Sequence, residues 1–237
     1  MRWGYEDYKP VAQRKAEAEY QLKLLRKKNP NISPVVVEGR KIAVTWWGAS
    51  WNENLESYAD FANRLGRGRS YVKNGMVLDL QISPCTIKAL VKGSRRTPYN
   101  VSIGIDKLSA PRWKSVVEQS SRRISDIAEL AGGKFPEELS NVFLQQGKGL
   151  FPTPNEIHFN CSCPDWADMC KHVAAALYGV GARLDSDPLL FFVLRDIDFS
   201  LLLKKSVDEK MQGMLKNSDK KSWRVIDDKD IPGLFGL

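Results

Sequence analysis

The sequence has little of what a secreted or membrane-bound protein carries. Its 237 residues include only four cysteines, too few for a disulfide-stapled module of this length. The longest uninterrupted apolar run, Leu189 to Leu194, falls far short of the roughly 20 residues of a spanning helix, which excludes a helical membrane protein. The opening MRWGYEDYKP holds no apolar stretch of the secretory kind. The expected setting is therefore reducing cytoplasm, where clustered thiols hold metal rather than each other. No G-x-x-x-x-G-K-[ST] occurs, so the chain is not itself a P-loop ATPase. Internal repeats and long low-complexity segments are absent as well.

What is present is a globular composition, 43% hydrophobic and 27% charged, with a net charge of +8. The length suffices for one large or two small domains. The charge is concentrated. Between residues 64 and 96, Arg64, Arg67, Arg69, Lys73, Lys88, Lys92, Arg95 and Arg96 face Asp79 alone, so this stretch holds +7. A solvated face would explain some of it; the concentration points to a polyanionic partner.

Residues 10–28 are rich in strong helix formers, with Tyr20, Leu24 and Leu25 as their apolar stripe, and the helix should stop before Asn29-Pro30. Val35 to Trp47 reads as a hairpin around Glu38-Gly39-Arg40-Lys41. Ser50-Trp51-Asn52-Glu53 has capping-box spacing and should open a helix of about three turns. After Gly66 and Gly68 the period becomes two, with Asn74-Gly75 as a hairpin signal. Alternation over 76–83, 87–92 and 99–106 gives an antiparallel meander with one buried face. Its turns and polar face would gather the basic residues into one surface.

The helical period returns from Pro111 to Ala131, with a shorter helix over 136–146, a linker over 148–154 and two helices over roughly 188–195 and 198–216. Trp46, Trp47 and Trp51 are expected in the core; Tyr71, among arginines, is the better stacking candidate. Gly179-Val180-Gly181 reads as a helix C-cap rather than a dinucleotide fingerprint. Asp165 with Asp168, and Glu53 with Glu56, lack any second signal for acid–base chemistry. After a polar tail, Ile231, Leu234, Phe235 and Leu237 form a closing apolar motif. Docking back on the domain and binding a partner groove both remain open for it.

The strongest signal is local. Cys161, Cys163, Cys170 and His172 fall within twelve residues. Thiolate and imidazole are the donors that Zn²⁺ prefers, and four of them complete a tetrahedron. Residues 157–160 should form a strand delivering Cys161 and Cys163, and Lys171 to Val180 a helix fixing Cys170 and His172. Four protein ligands leave no open position, so the expected cofactor is one structural Zn²⁺. His158, three residues before Cys161, is expected to be a hydrogen-bonded surface histidine.

The pattern C-x-C-x₆-C-x-H between a strand and a helix resembles the SWIM zinc finger. Residues 46–56, residues 63–72 and the closing Leu234-Phe235-Gly236-Leu237 are likewise similar to bacterial SWIM zinc finger proteins. The resemblance implies a zinc-dependent module for binding DNA or protein, with no catalytic residue. It also implies association with SWI/SNF-type helicase-like ATPases or with transcription machinery, in a bacterial cytoplasm and at the nucleoid.

The expected architecture is α+β: an antiparallel β-meander with flanking helices, plus a small zinc-stabilised strand–loop–helix finger. Its expected parts are a basic helical extension (1–34), a basic α+β domain (35–147), the finger with C-terminal helices (148–216) and a charged tail (217–237). The expected function is a non-enzymatic adaptor that binds DNA or RNA electrostatically with low sequence selectivity. The alternative is a pure protein–protein docking module for a SWI/SNF-type helicase-like ATPase or RNA polymerase.

Overall fold

The period-two alternation carries directly into a sheet in the computed structural model, which describes residues 10–57, 62–124 and 126–218. In chain order come α1 (Val11–Lys28), α2 (Trp46–Ser57), α3 (Ala62–Lys73), β1 (Val77–Ser83), β2 (Thr86–Val91) and β3 (Tyr99–Ile105). After them follow α4 (Ala110–Ser121), α5 (Ile127–Ala131), α6 (Ser140–Phe143), β4 (Ile157–Cys161), α7 (Lys171–Ser186), α8 (Leu190–Leu194) and α9 (Ser200–Ser218). The sheet runs β1-β2-β3-β4, antiparallel throughout. The expected meander is therefore present, and β4 extends it by one strand across the expected boundary at 147/148.

Ile87, Ala89 and Val91 face Ile103, Val101 and Tyr99 across the β2–β3 ladder, and all six are buried. Val77 pairs with Val91 and Asp79 with Leu90, so Leu78 is an extra residue in β1. This bulge is why Val77 and Leu78, neighbours in sequence, are both buried. Helix α7 covers the apolar face and is itself covered by α2 and α3. A helix sandwiched in this way is buried nearly all round, and α7 is small-residue-rich for that reason. A Cβ at Gly68 of α3 would stand 2.6 Å from the Ala174 side chain. Trp51 of α2 is fully buried, and its indole N–H donates to the Leu177 carbonyl at 2.9 Å. Trp46 and Trp47 pack against the same core.

Several expectations are corrected. The hairpin over 35–47 does not form: Val36 and Val44 are exposed, and the backbone of the segment bonds β1 through Val35 N–H to the Val77 carbonyl, the next contact, Leu80 N–H to the Ser33 carbonyl, lying before it. Helix α2 starts at Trp46, not after Ser50: Thr45 is its N-cap, Oγ1 accepting from Gly48 N–H at 3.3 Å, and Asp185 of α7 holds that corner by accepting from the backbone N–H groups of Val44 and Thr45.

Residues 66–73 are helical, not extended. Asn74-Gly75 ends α3 instead of turning a hairpin: Gly75 takes φ +69°, its N–H meets the Val72 carbonyl and Met76 N–H meets the Tyr71 carbonyl, the Schellman pattern. The long helix expected over 111–131 breaks into α4 and α5, since the Asp126 carboxylate caps a new start at the N–H groups of Ala128 and Glu129. Gly179 and Gly181 lie inside α7 and serve close packing, Gly181 against the Asn52 side chain. On α1, Ala18 is buried and Leu22 and Leu25 pack inward, while Tyr20 and Leu24 face solvent. No helix of the described residues is long and apolar enough to cross a membrane.

Candidate metal centre

Cys161 ends β4, and the ladder is prolonged by one residue beyond it. Ser162 N–H donates to the Asn100 carbonyl, and Asn100 N–H donates to Ser162 Oγ, both at 3.0 Å. Cys163 then stands at the start of the 164–169 loop. At the far end Cys170 is the N-cap of α7, its sulfur accepting from Val173 N–H at 3.5 Å, and His172 lies in the first helical turn, 2% exposed.

The four donor atoms lie within 4.8 Å of one another. His172 turns Nδ1 toward the sulfurs, 3.9 Å from Cys161 Sγ and 3.8 Å from Cys170 Sγ. A tetrahedron with metal–sulfur bonds of about 2.3 Å has edges of roughly 3.8 Å, so the donor set fits a zinc ion with little adjustment. The Cys170 thiol is held down to about 4 by the hydrogen bond from Cys161, aided by His172 and Val173 N–H against the effect of burial. Cys161 is pushed up by that same bond and by burial, and Cys163 chiefly by burial. Negative charge thus settles at the N-terminus of α7, where the helix dipole favours it.

The imidazole is fixed by aromatic packing. Tyr99 lies against it at 4.3 Å between ring centroids and Tyr71 meets it edge-on at 5.6 Å. Gly93 completes the clamp: a Cβ there would stand 2.8 Å from His172 Nε2 and 2.4 Å from the Tyr99 ring. With Nδ1 toward the sulfurs, the ring proton belongs on Nε2. His158 is exposed and bonds Asp106 at 2.9 Å, outside the cluster.

The basic residues are distributed more widely than one surface. Arg64, Arg67, Arg69 and Lys73 ride on α3. Arg64 pairs with Asp165 of the 164–169 loop at 3.1 Å, and Arg69 lies 3.7 Å from Glu56 and over the Tyr178 ring. Lys88 is on the sheet face opposite α7, in a shallow depression with Gln81, Asn100 and Ser102. Lys92 is withdrawn altogether. It is 3% exposed, and its Nζ donates to the Gly93 and Arg95 carbonyls and pairs with Glu17. Arg95 and Arg96 are exposed, and the Arg95 guanidinium lies 5.3 Å from the centroid of the Tyr99 ring.

Tyr71 is half-buried, with the guanidiniums of Arg14 of α1 and Arg67 near; burial pushes its phenol up and the two guanidiniums oppose this. Arg14 and Tyr99 belong to the surroundings of the site without having stood out in the sequence. Trp166 was missed as well, although its place between Cys163 and Cys170, outside any periodic element, was a usable signal. Ile231, Leu234, Phe235 and Leu237 lie outside the described residues.

Comparison with known proteins agrees with the geometry. Residues 159–180 match the SWIM zinc finger. Uncharacterized protein Rv2102 of Mycobacterium tuberculosis is similar to this chain, 36% identical over 179 residues, which are 75% of this chain and 64% of the relative's length. The chain thus spans somewhat under two thirds of that relative. No solved structure matches. Three thiols and one imidazole, gathered at a strand end and a helix start in the order C-x-C-x₆-C-x-H, make this chain the carrier of a SWIM zinc finger that fits one structural zinc ion.

Proposed function

We propose that this protein is a non-enzymatic adaptor that binds nucleic acid beside its zinc finger. The observation that carries the reading is the convergence of guanidinium groups from three separate elements on the aromatic clamp of a zinc ligand. Arg14 from α1 and Arg67 from α3 flank Tyr71, Arg95 from the β2–β3 connection covers Tyr99, and both tyrosines hold His172. Zinc binding would therefore fix the platform on which this basic rim is arranged. Asp165 is engaged with Arg64 and Glu56 with Tyr178 and Arg69, while Asp168 stands exposed on the loop. The engaged carboxylates support a binding role rather than acid–base chemistry.

The arginines lie on a helix flank and a loop, reaching phosphate without a dedicated base-reading element. Low sequence selectivity follows. The test is fluorescence anisotropy with labelled single- and double-stranded oligonucleotides over a salt series. If Arg67, Arg69, Lys73, Arg95 and Arg96 each neutralise one phosphate, log K falls against log[salt] with a slope of about −4.5 on duplex DNA or about −3.5 on single strands. Absence of binding, or a slope near zero, refutes the reading. Nuclease-resistant co-purification of a helicase-like ATPase or a transcription subunit would then favour the docking module.

A further inference from the structure

We propose that Trp166 is a base-stacking platform, and that the nucleic acid this protein takes is single-stranded. The inference rests on the nucleic-acid reading above and narrows its ligand class. Trp166 is 84% exposed, the most exposed of the large apolar side chains among the described residues. Its exposure is built in, because the loop is pinned on both sides of it. Asp165 is tied to Arg64 at 3.1 Å and accepts from Ala167 N–H. Ala167 and Met169 are buried at 6% and 5%, and the loop begins and ends at two members of the metal cluster, Cys163 and Cys170. A wide indole is thus held in water by a braced support while its neighbours are drawn inward.

An indole presented in this way needs a flat apolar partner. Charge decides which. Of the two carboxylates in this loop Asp165 is paired with Arg64 and Asp168 is exposed, while the next turn of α3 carries the exposed Arg67 and Lys171 follows the loop in the chain, so the cations outnumber the remaining carboxylate. A polyanion with accessible π-faces satisfies both features. In a duplex those faces are covered by neighbouring base pairs, whereas an unpaired strand offers them freely, and stacking on an aromatic side chain accepts any base. Phosphate contacts from the arginine rim and a stacked base at Trp166 together describe a single-strand groove.

The experiment uses the full, zinc-loaded chain with fluorescein-labelled dT20, U20 and a 20-base-pair duplex, comparing wild type, Trp166→Ala, Trp166→Phe and Arg67→Ala. The expected result is tighter binding of the single strands than of the duplex. Trp166→Ala should lose roughly tenfold in single-strand affinity with an unchanged salt slope, zinc content and melting temperature. Trp166→Phe should recover most of the loss, and Arg67→Ala should make the slope shallower by about 0.7. If wild type binds with a steep salt slope but Trp166→Ala binds equally well, the stacking platform is refuted and the nucleic-acid reading stands. If wild type binds none of the probes, that reading fails and this inference with it. Loss of a nuclease-resistant protein partner in Trp166→Ala would then assign the indole to a protein groove instead.

Discussion

Gly93→Ala should damage the metal centre without replacing a ligand. The added methyl group would stand 2.4 Å and 2.8 Å from two Tyr99 ring carbons and 2.8 Å from His172 Nε2. Neither neighbour can yield easily, since Tyr99 is 4% exposed and paired with Val91, and the imidazole packs against Tyr99 at 4.3 Å. Overpacking of a tight interior costs about 1–3 kcal/mol. Disturbing the groups that orient a metal-bound histidine weakens metal binding about 10–100-fold, equivalent to about 1.4–2.7 kcal/mol. The two routes agree in size. A competition titration with a chromophoric chelator, under reducing conditions at pH 7, should therefore show zinc affinity reduced at least tenfold, with the melting temperature of the loaded protein lower by several degrees. Zinc affinity within twofold of wild type would refute the claim that Gly93 and Tyr99 hold His172 in its ligating position.

Other positions test other parts of the structure. Gly66 and Gly68, two residues apart on α3, should respond in opposite directions: a Cβ at Gly66 meets nothing within 4 Å, while one at Gly68 meets the Ala174 side chain at 2.6 Å. Gly66→Ala should stabilise by up to about 1 kcal/mol and Gly68→Ala should destabilise by about 1–3 kcal/mol in denaturant titrations; equal effects would refute the close α3–α7 approach. Lys92→Met should lower stability by about 1–3 kcal/mol, because it strands the Gly93 and Arg95 carbonyls. The salt slope for oligonucleotides should not change, and a shallower slope would return Lys92 to the binding surface.

Glu156 supplies a pH test. Burial alone would raise its pKa, but Thr153 N–H, the buried Arg195 and Arg112 outweigh it and hold the carboxyl down to about 2. Its stabilisation is present above the ordinary carboxylate range and disappears as pH falls through the folded value. Glu156→Gln should accordingly be less stable than wild type at pH 7, by about 1–2 kcal/mol after allowance for solvent screening. The gap should close between pH 4.5 and pH 2; a gap independent of pH would refute the assignment.

The sequence made the metal centre legible because its four donors are local: twelve residues hold all of them, and strand and helix periods flank them. The meander was legible for a similar reason, each strand announcing its buried face by alternation. What stayed hidden depends on distant partners. Helix α2 begins where Thr45 caps Gly48 N–H and Asp185 of α7 holds that corner, and nothing near Ser50 signals the second of these. Residues 66–73 look like a turn region because of Gly66 and Gly68, yet Gly68 is there to admit Ala174 of α7, and tertiary packing overrides the weak helix propensity. Val35–Val37 and Ile42–Thr45 have strand-forming side chains, but a single backbone hydrogen bond, Val35 N–H to the Val77 carbonyl, joins them to β1. Lys92 looked like any surface lysine until Glu17 and two carbonyls enclosed it. Arg64 likewise found its partner, Asp165, in the metal loop.

Zinc content is the most direct test of the account. The untagged chain, purified under reducing conditions, should hold one zinc per molecule by native mass spectrometry. Chelation, or Cys163→Ser, should remove the ion and loosen residues 157–180 in hydrogen exchange. A preparation without stoichiometric zinc, whose exchange pattern and melting temperature are indifferent to chelator, would contradict it.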